Sequence, residues 1–394
     1  MTKQKTISIF LILALTVTAI FGFGVFSSKS AAKAVIEEDF EEQYISSSVF
    51  EIDSIEDWDR ISKYFNRFNF WGKTIKLNCD IDMRFYPSGF NVFRGTFEGN
   101  NHSIFNLTDT LFQEIASIGV VRNLNIYNVD ITNSHAVLAH LNQGLIENVS
   151  AHGKLIYNQA SGLVYNNNGI ISNCFSFLDI IDPSQNYKSY IGGLAGINVN
   201  QIIDSHFIGS ITTTNNSQTG GLTAINYGSI ERCSARFDLN IDVVKPTSDL
   251  TAGGITAVNG SYREKQIIEQ GGELIEIPEQ LVQAQIYNSH AIINVEYISS
   301  STEGMAVGGL VGLSGCTIME NSYSDIKGQG VLYGIIASSQ AKPIYDEAEN
   351  IVDYEFLGTK DIENCFSIAD LQPQIIRDTH GGELEEILPS SNNL

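Results

Sequence analysis

Three pairs of aspartates are the residues of this chain that could do acid–base chemistry. Two carboxylates that face each other can act as general acid and general base, or bind calcium, as in enzymes that cleave polysaccharides. Acids at i and i+2 on a strand share one face, whereas acids in the variable stretch after a strand are typical of solvated turns. The first pair precedes the repeats described below and the other two fit such turns: Asp80 with Asp82, Asp179 with Asp182, and Asp238 with Asp242.

The sequence does not have the residue patterns that zinc peptidases, metal sites and polysaccharide lyases require. None of the seven histidines precedes a glutamate, so the H-E-x-x-H zinc motif is absent. His206 and His290 share one repeat position, with two coils between them, and we interpret both as tolerated positions rather than metal ligands. Lys188 and Arg236 are isolated, which disfavours a polysaccharide lyase. We therefore predict that the chain is not an enzyme, with no catalytic residue, no cofactor and no metal site beyond weak calcium binding.

Cysteine use and composition narrow the class of protein. The five cysteines have neither metal-site nor redox spacing, and no phosphate-binding glycine loop is present. The chain has 394 residues, 43% of them hydrophobic, and a formal charge of −22. So acidic a protein repels nucleic acid and anionic lipid, so we expect neither as a partner. An extracellular glycan or protein ligand stays open, and the oligomeric state cannot be predicted.

Residues 1–34 form a targeting segment. A basic start, "MTKQKT", precedes an apolar run over Ile7–Phe26, and "AKA" at Ala32–Ala34 is a small-x-small cleavage pattern. The apolar run is long for a signal peptide and about long enough to span a bilayer. The segment predicts a secreted or cell-surface protein, with either a cleaved signal peptide or an uncleaved membrane anchor.

A glycine-rich phrase recurs along the chain, as in "GGLTAINYGSI" from Gly220. The segments that follow it align at intervals of roughly 25 to 33 residues, with two longer steps. We expect the glycines to allow tight packing, the leucines to point inward, and the asparagine of the phrase to adopt a left-handed turn and stack as an amide ladder. The structural repeat positions are Gly162, Leu163, Gly192, Gly193, Leu194, Gly220, Gly221, Leu222, Asn226, Gly253, Gly254, Gly308, Gly309 and Leu310.

The repeats have the pattern of short strands, because apolar residues alternate over three to five positions and are then broken by Gly, Asn or Ser. Strands this short at a fixed recurrence predict an all-β fold, a parallel β-helix (solenoid) of about eight or more coils. Cys174, Cys233 and Cys365 share one repeat position with serines of other coils, which indicates a small inward residue.

Four regions follow from these patterns. Residues 35–117 hold an N-terminal capping helix over 54–69 and the first strands, residues 118–370 hold the repeats, and residues 371–394 form a polar tail. Two acidic insertions, 261–283 and 341–360, interrupt the repeats and are the candidate recognition loops. Their candidate recognition residues are Glu273, Glu276, Glu279, Asp346, Glu347 and Glu349.

The segments "TIKLNCDIDM" and "FRGTFEGNNHSIFNL", followed by repeated "GGLxxxNxGxI", resemble bacterial surface proteins with GLUG repeats, which include β-helical adhesins and the N-terminal regions of immunoglobulin A1 metallopeptidases. The resemblance covers roughly residues 45–370 and implies a right-handed parallel β-helix outside a bacterial cell. We expect an exported, non-catalytic binding or structural module that acts in adhesion. The alternative is a carbohydrate-active enzyme on the same fold, a polysaccharide lyase or glycoside hydrolase.

Overall fold

The computed structural model describes residues 40–84, 89–184, 188–243, 250–263, 266–270, 273–277, 279–298, 306–345, 351–357, 361–367 and 377–378. The chain divides into two compact units, Met1–Phe50 and Glu51–Leu394. In the first unit residues 40–46 are helical, and the ring of Phe40 lies 5.9 Å from that of Phe50. The predicted targeting segment, residues 1–34, and the tail from 379 lie outside the described residues.

The described elements are one bounded helix, α1 (Ile55–Ser62), and short strands. The strands up to the middle of the repeats are β1 (Val49–Ile52), β2 (Thr74–Leu77), β3 (Ile81–Asp82), β4 (Phe90–Phe93), β5 (Thr96–Glu98), β6 (Ser103–Phe105), β7 (Phe112–Ile115), β8 (Val120–Ile131), β9 (Ala139–Asn142), β10 (Leu145–Ile156), β11 (Val164–Asn167), β12 (Ile170–Ser172), β13 (Phe175–Ile181), β14 (Ser189–Gly192), β15 (Ala195–Asn198), β16 (Gln201–Ile203), β17 (His206–Thr214), β18 (Ser217–Gly220), β19 (Thr223–Asn226) and β20 (Ser229–Glu231).

The remaining strands are β21 (Ser234–Asp242), β22 (Thr251–Gly253), β23 (Thr256–Asn259), β24 (Ser261–Arg263), β25 (Gln266–Gln270), β26 (Glu273–Ile277), β27 (Gln280–Val282), β28 (Ala284–Tyr287), β29 (His290–Tyr297), β30 (Ala306–Gly308), β31 (Val311–Ser314), β32 (Thr317–Glu320), β33 (Tyr323–Gly328), β34 (Val331–Tyr333), β35 (Ile336–Tyr345), β36 (Ile351–Leu357), β37 (Asp361–Glu363), β38 (Phe366–Ser367) and β39 (Arg377–Asp378).

Three parallel sheets stack these strands. In the largest sheet one ladder runs β10-β12-β16-β20-β28-β32-β37, and beside it a second ladder runs β10-β13-β17-β21-β29-β33-β38. The second sheet runs β4-β7-β9-β11-β15-β19-β23-β31-β35, and the third runs β14-β18-β22-β30-β34. From β14 to β33 each repeat adds one strand to the third sheet, one to the second sheet and one to each of the two ladders of the largest sheet, which is the arrangement of a β-solenoid. The all-β, parallel part of the prediction is confirmed; the number of coils, the handedness and the capping role of the helix stay predictions.

The two insertions that lengthen the interval between repeats form antiparallel hairpins. Within 261–283, β24 pairs with β27 and β25 with β26, and within 341–360, β35 pairs with β36. The parallel ladder continues across the first insertion, because β20 pairs directly with β28 and β21 with β29. Only the coil of Ser234 therefore separates His206 from His290, so the expectation of two intervening coils is wrong.

Helix α1 begins where the sequence places it and ends earlier. The Ser54 side chain accepts a hydrogen bond from the Asp57 backbone N–H, and the Asp57 side chain accepts one from the Asp53 N–H, an arrangement similar to a capping box. The helix ends at Ser62 rather than near 69, because i→i+3 bonds such as Phe65 N–H to Ser62 O tighten the chain into turns. Trp58 is fully buried, with its ring 5.5 Å from that of Phe65.

The inward-pointing leucines of the glycine-rich phrase form a continuous ladder from coil to coil. Leu163, Leu194, Leu222 and Leu310 are fully buried, and the Leu194 N–H donates to Leu222 O at 3.0 Å. The paired glycines lie where backbones approach closely: a Cβ on Gly220 would collide with Thr223 O, one on Gly192 with Ala195 O, and one on Gly308 with Val311 O. The close approach, not a left-handed backbone, explains these glycines, since none of them has a positive φ. The remaining glycine positions meet backbone oxygens in the same way: Gly162, Gly193, Gly221, Gly253, Gly254 and Gly309.

Asn226 takes part in a buried amide ladder. The side-chain amide nitrogens of Asn142, Asn167, Asn198 and Asn226 each donate at 2.7 Å to the amide oxygen of the next asparagine, and Asn259 ends the series by donating to Thr317 Oγ1 at 3.0 Å. The expected left-handed turn at Asn226 is wrong, because Asn226 is the last residue of strand β19. The left-handed positions are the aligned residues before the second ladder: Asn123, Asn148, Asn173, Asp204, Arg232, Asn288, Asn321 and Asn364, with φ of 49° to 55°.

Candidate functional site

The first aspartate pair is used in local contacts. Asp82 accepts hydrogen bonds from the Arg84 guanidinium and from Asn106, and these hold the pKa of Asp82 well below its ordinary value. Asp80 accepts the Ser103 N–H at 2.8 Å and lies 3.3 Å from His102 Nδ1. Both carboxylates thus accept hydrogen bonds from the neighbouring coil at the start of the solenoid.

The second pair is split between two environments. Asp179 lies on the outer face of β13 and accepts a hydrogen bond from Ser210 Oγ at 2.7 Å. Asp182 is 3% exposed and accepts bonds from the Ser184 N–H at 2.9 Å and Ser184 Oγ at 2.8 Å. The expectation of a solvated turn is therefore wrong for Asp182, whose carboxylate closes a buried Asx turn.

The third pair is also separated. Asp238 lies in the middle of strand β21, exposed on the outer face of the largest sheet, and not in a turn as the sequence suggested. Asp242 is the last residue of the same strand. Asp238 belongs instead to a set of outward-facing side chains on successive coils.

These outward side chains form two adjacent columns because the strands pair in register. In one column Phe177, Ile208, Arg236, Ile292 and Asp325 follow one another. In the other, Asp179, Ser210, Asp238, Asn294 and Lys327 follow one another. The columns bring Arg236, which is isolated in sequence, beside residues from the two neighbouring coils.

A groove of about 370 Å³ lies between these columns. Ile208 and Ile292 give it an apolar surface, and Ile208 is 45% exposed. Arg236, Asp238, Asn294 and Lys327 supply its polar groups. The volume falls at the lower end of the range for small-ligand sites, about 300–1,000 Å³.

The ion pairing in the groove is uneven. Lys327 pairs with Asp325, two residues before it, at 3.3 Å. Arg236 and Asp238 are also two residues apart on one face, yet within the described part of the chain Arg236 has no carboxylate oxygen within 4.0 Å. Its guanidinium and the neighbouring carboxylate are therefore both open to a ligand.

Stacked rings line the outer face beyond the groove. The rings of Phe105, Tyr127, His152 and Phe177 follow one another at centroid distances of 5.7, 4.6 and 4.4 Å, with interplanar angles of 27°, 30° and 12°. Burial between its neighbours lowers the pKa of His152. Because each ring covers the face of the next, the stack presents ring edges to solvent, so a sugar cannot stack on it.

A second cluster lies beside strands β9 and β11. The ring of Tyr165 is 4.8 Å from that of His135 and 5.2 Å from that of His140. Burial and then the neighbouring His135 lower the pKa of His140. Across the described ranges no group of three or more His, Cys, Asp or Glu residues could hold a metal ion.

The cysteines are poorly suited to nucleophilic chemistry, and three of the five, Cys174, Cys233 and Cys316, are buried. Burial raises the pKa of Cys174 and of Cys233 to about 12, and that of Cys365 to about 11. Ser205 separates the first two in the ladder, and its Oγ accepts the Cys174 N–H at 3.0 Å. All five cysteines are free thiols.

Three candidate recognition residues lie in the first insertion, and three lie outside the described residues. Glu273 and Glu276 belong to β26, where their backbones pair with Gln270 and Ile267. Glu279 is exposed just after that strand. Asp346, Glu347 and Glu349 lie outside the described residues. Sequence reasoning missed the groove, although a signal existed: Ile208, Arg236 and Ile292 each lie four residues after an aligned repeat position, namely Asp204, Arg232 and Asn288.

No helix in the described ranges has the length and apolar character needed to cross a membrane. The predicted N-terminal anchor lies outside those ranges.

Comparison with known proteins gives likenesses to solved structures, two of which bear the name of a protease. No family model matches the chain, and no curated protein matches it. A candidate immunoglobulin A1 protease from Bacteroides ovatus is similar over 71% of this chain and 82% of its own, at 17% identity and a TM-score of 0.39. An IgA1 protease is similar over 82% of this chain, at 16% identity and a TM-score of 0.42, and this chain spans only 23% of that protein.

Both similar structures bear the name of a protease, which contradicts the prediction that this chain is not an enzyme. That prediction is withdrawn. With TM-scores below 0.5 the likenesses supply neither a catalytic residue nor a substrate for this chain.

Proposed function

We propose that this chain is the β-helical part of an exported bacterial protein and binds an extracellular polymer in the groove on the outer face of its largest sheet. Export rests on the targeting pattern of residues 1–34, and a bacterial surface origin with a right-handed helix rests on the resemblance to GLUG-repeat proteins. The acidic composition fits a protein that works in solution outside the cell.

The observation that carries this proposal is that Arg236 lies beside an exposed aliphatic surface and has no carboxylate partner among the described residues. Arginine and aspartate two residues apart on the same face of a strand can form a charge-assisted hydrogen bond, and Lys327 with Asp325 shows that this spacing permits an ion pair here. Ile208 adds an exposed aliphatic side chain in the neighbouring coil. A groove that combines open polar groups with exposed apolar area is typical of a ligand site.

A binding screen tests the proposal. The purified full chain is assayed against arrays of glycans and extracellular matrix polymers, in parallel with the variant Ile208→Glu. A charge on this surface residue should abolish binding without unfolding the protein, since the side chain is already 45% exposed. Ile118→Glu is the matched control, because Ile118 is 51% exposed in the turn before β8, away from the groove.

Loss of binding in Ile208→Glu but not in Ile118→Glu supports the groove. If no polymer binds, or if both variants bind as well as the wild type, the proposed function is wrong.

A second candidate function is cleavage of a glycan that extends from the groove along the column of Asp238. Asp179 and Asp238 occupy one column with Ser210 between them, so two coil steps of about 4.8 Å place their strands about 9.6 Å apart. That separation is close to the upper end of the range for inverting glycoside hydrolases, about 6.5–9.5 Å. Release of reducing ends from a bound glycan, abolished in Asp238→Asn, would support hydrolysis; unchanged release in that variant would exclude it.

A further inference from the structure

We infer that the groove recognises a neutral sugar residue with adjacent hydroxyl groups, within a linear glycan that runs along the stack of coils. This inference rests on the proposed function and names the class of ligand. It follows from the hydrogen-bonding groups of the groove, its apolar surface, its charge and its direction.

The polar groups match a vicinal diol. Arg236 presents up to five N–H donors in a planar fork, and Asp238, two residues further along the same face, presents only acceptors. Asn294, paired with Asp238 on the next coil, offers both an acceptor and a donor. A hydroxyl group donates and accepts, so two neighbouring hydroxyls can satisfy the guanidinium and the carboxylate together.

The apolar surface fits the carbon-bound hydrogens of a sugar ring. Ile208 and Ile292 lie in the column of Arg236, one on each side of it. Aliphatic side chains can contact the C–H groups of a pyranose while the polar column contacts its hydroxyls. The stacked rings nearby cannot replace this contact, because Phe177 and His152 cover each other at 4.4 Å.

Charge favours a neutral ligand over an acidic one. Arg236 and Lys327 are balanced in the groove and its rim by Asp238 and Asp325, so no surplus of positive charge is left for a carboxylate or sulfate. The chain as a whole carries −22 and repels polyanions. A neutral glycan meets neither obstacle.

The direction of the columns suits a linear polymer. Polar groups recur along the stack from Asp179 through Ser210 and Asp238 to Asn294, at a coil spacing of about 4.8 Å. This spacing is close to the advance of one pyranose unit in an extended glycan. Successive sugars can therefore meet successive coils, so affinity should rise with chain length.

Calorimetric titration of the full chain with defined oligosaccharides tests the inference. The neutral probes are cellohexaose, xylohexaose and maltohexaose with their disaccharides, the acidic probe is hexagalacturonate, and a neutral Ala-Ser peptide serves as the polypeptide probe. We expect at least one neutral hexamer to bind, roughly tenfold or more tighter than its disaccharide, and the acidic hexamer and the peptide not to bind.

Two variants test the recognition chemistry. Arg236→Lys keeps the charge and removes the planar fork, and Asp238→Asn removes the charged acceptor; each should weaken binding of the neutral hexamer roughly tenfold or more, since each removes charge-assisted hydrogen bonds. Tyr165→Ala, which removes an aromatic side chain on the second sheet, should leave the Kd unchanged.

The outcomes separate the two levels of the proposal. Tighter binding of hexagalacturonate or of the peptide, lost in Ile208→Glu, overturns the neutral-glycan inference and leaves the groove as a binding site. Binding of a neutral hexamer that Arg236→Lys and Asp238→Asn do not affect also overturns the inference. Absence of binding by every probe and by the array polymers, or binding that Ile208→Glu does not affect, overturns the proposed function itself.

Discussion

The amide ladder gives the sharpest prediction on stability. In Asn226→Ala the solenoid loses the 2.7 Å bond to Asn259 Oδ1, the 2.7 Å bond from Asn198 Nδ2 and the 3.2 Å bond from the Gly228 N–H. It also loses two further contacts of the Asn226 side-chain nitrogen, to Gly228 O at 3.2 Å and to Gln285 O at 3.4 Å. The three bonds named first, at about 1 kcal/mol each, amount to about 3 kcal/mol. Asn226 is fully buried, so the partners left without a bond add to this, and we expect a total loss of about 3–5 kcal/mol.

Urea denaturation followed by circular dichroism measures this loss. Asn200→Ala is the matched control, because Asn200 is exposed and its side chain has, among the described residues, a single long hydrogen bond of 3.5 Å to Asn168 O, so its removal should cost less than about 0.5 kcal/mol. A change below about 1 kcal/mol for Asn226→Ala, or equal effects of the two variants, would refute the role of the ladder.

Three further predictions concern pH, backbone conformation and thiol reactivity. Burial lowers the pKa of four histidines, so below about pH 6.5 the unfolded chain binds more protons than the folded chain. The folded protein should therefore lose stability as the pH drops from 6.5 towards 5, which is measured as a lower urea midpoint. A urea midpoint that stays constant from pH 7.5 to 5 would contradict this prediction. These histidines are His140, His152, His206 and His290. Asn173 has a φ of 50°, so Asn173→Ala should destabilise by about 1 kcal/mol while Asn173→Gly stays within about 0.5 kcal/mol of the wild type, and equal denaturation midpoints of the two variants would argue against backbone strain. Cys174 and Cys233, whose pKa burial raises to about 12, should not react with a thiol reagent at pH 8 until the protein is unfolded, and rapid labelling of either in the folded protein would show that it is accessible.

The repeat made the fold predictable, because every coil must match its neighbours. The buried leucines and the amide ladder follow from one aligned phrase, since a residue at one repeat position has the same surroundings in each coil. The left-handed conformation was assigned to the wrong asparagine because both positions carry Asn in several coils. Only the pairing shows that Asn226 ends a strand while Asn173 bends the chain.

The groove was harder to predict because it depends on register across an insertion. The hairpin between β23 and β28 hides the fact that Arg236 and Ile292 are neighbours. Asp182 was misjudged for a similar reason, because burial after a strand depends on how the turn packs and not on residue type. Its carboxylate is enclosed by a turn through Ser184 that composition does not reveal.

A crystal structure of the full chain with a bound neutral hexasaccharide tests the central claim most directly. The account predicts sugar density in the groove, with adjacent hydroxyls within hydrogen-bonding distance of Arg236 and Asp238 and the ring over Ile208. Density along another face, with the groove open in the same crystal, would contradict it.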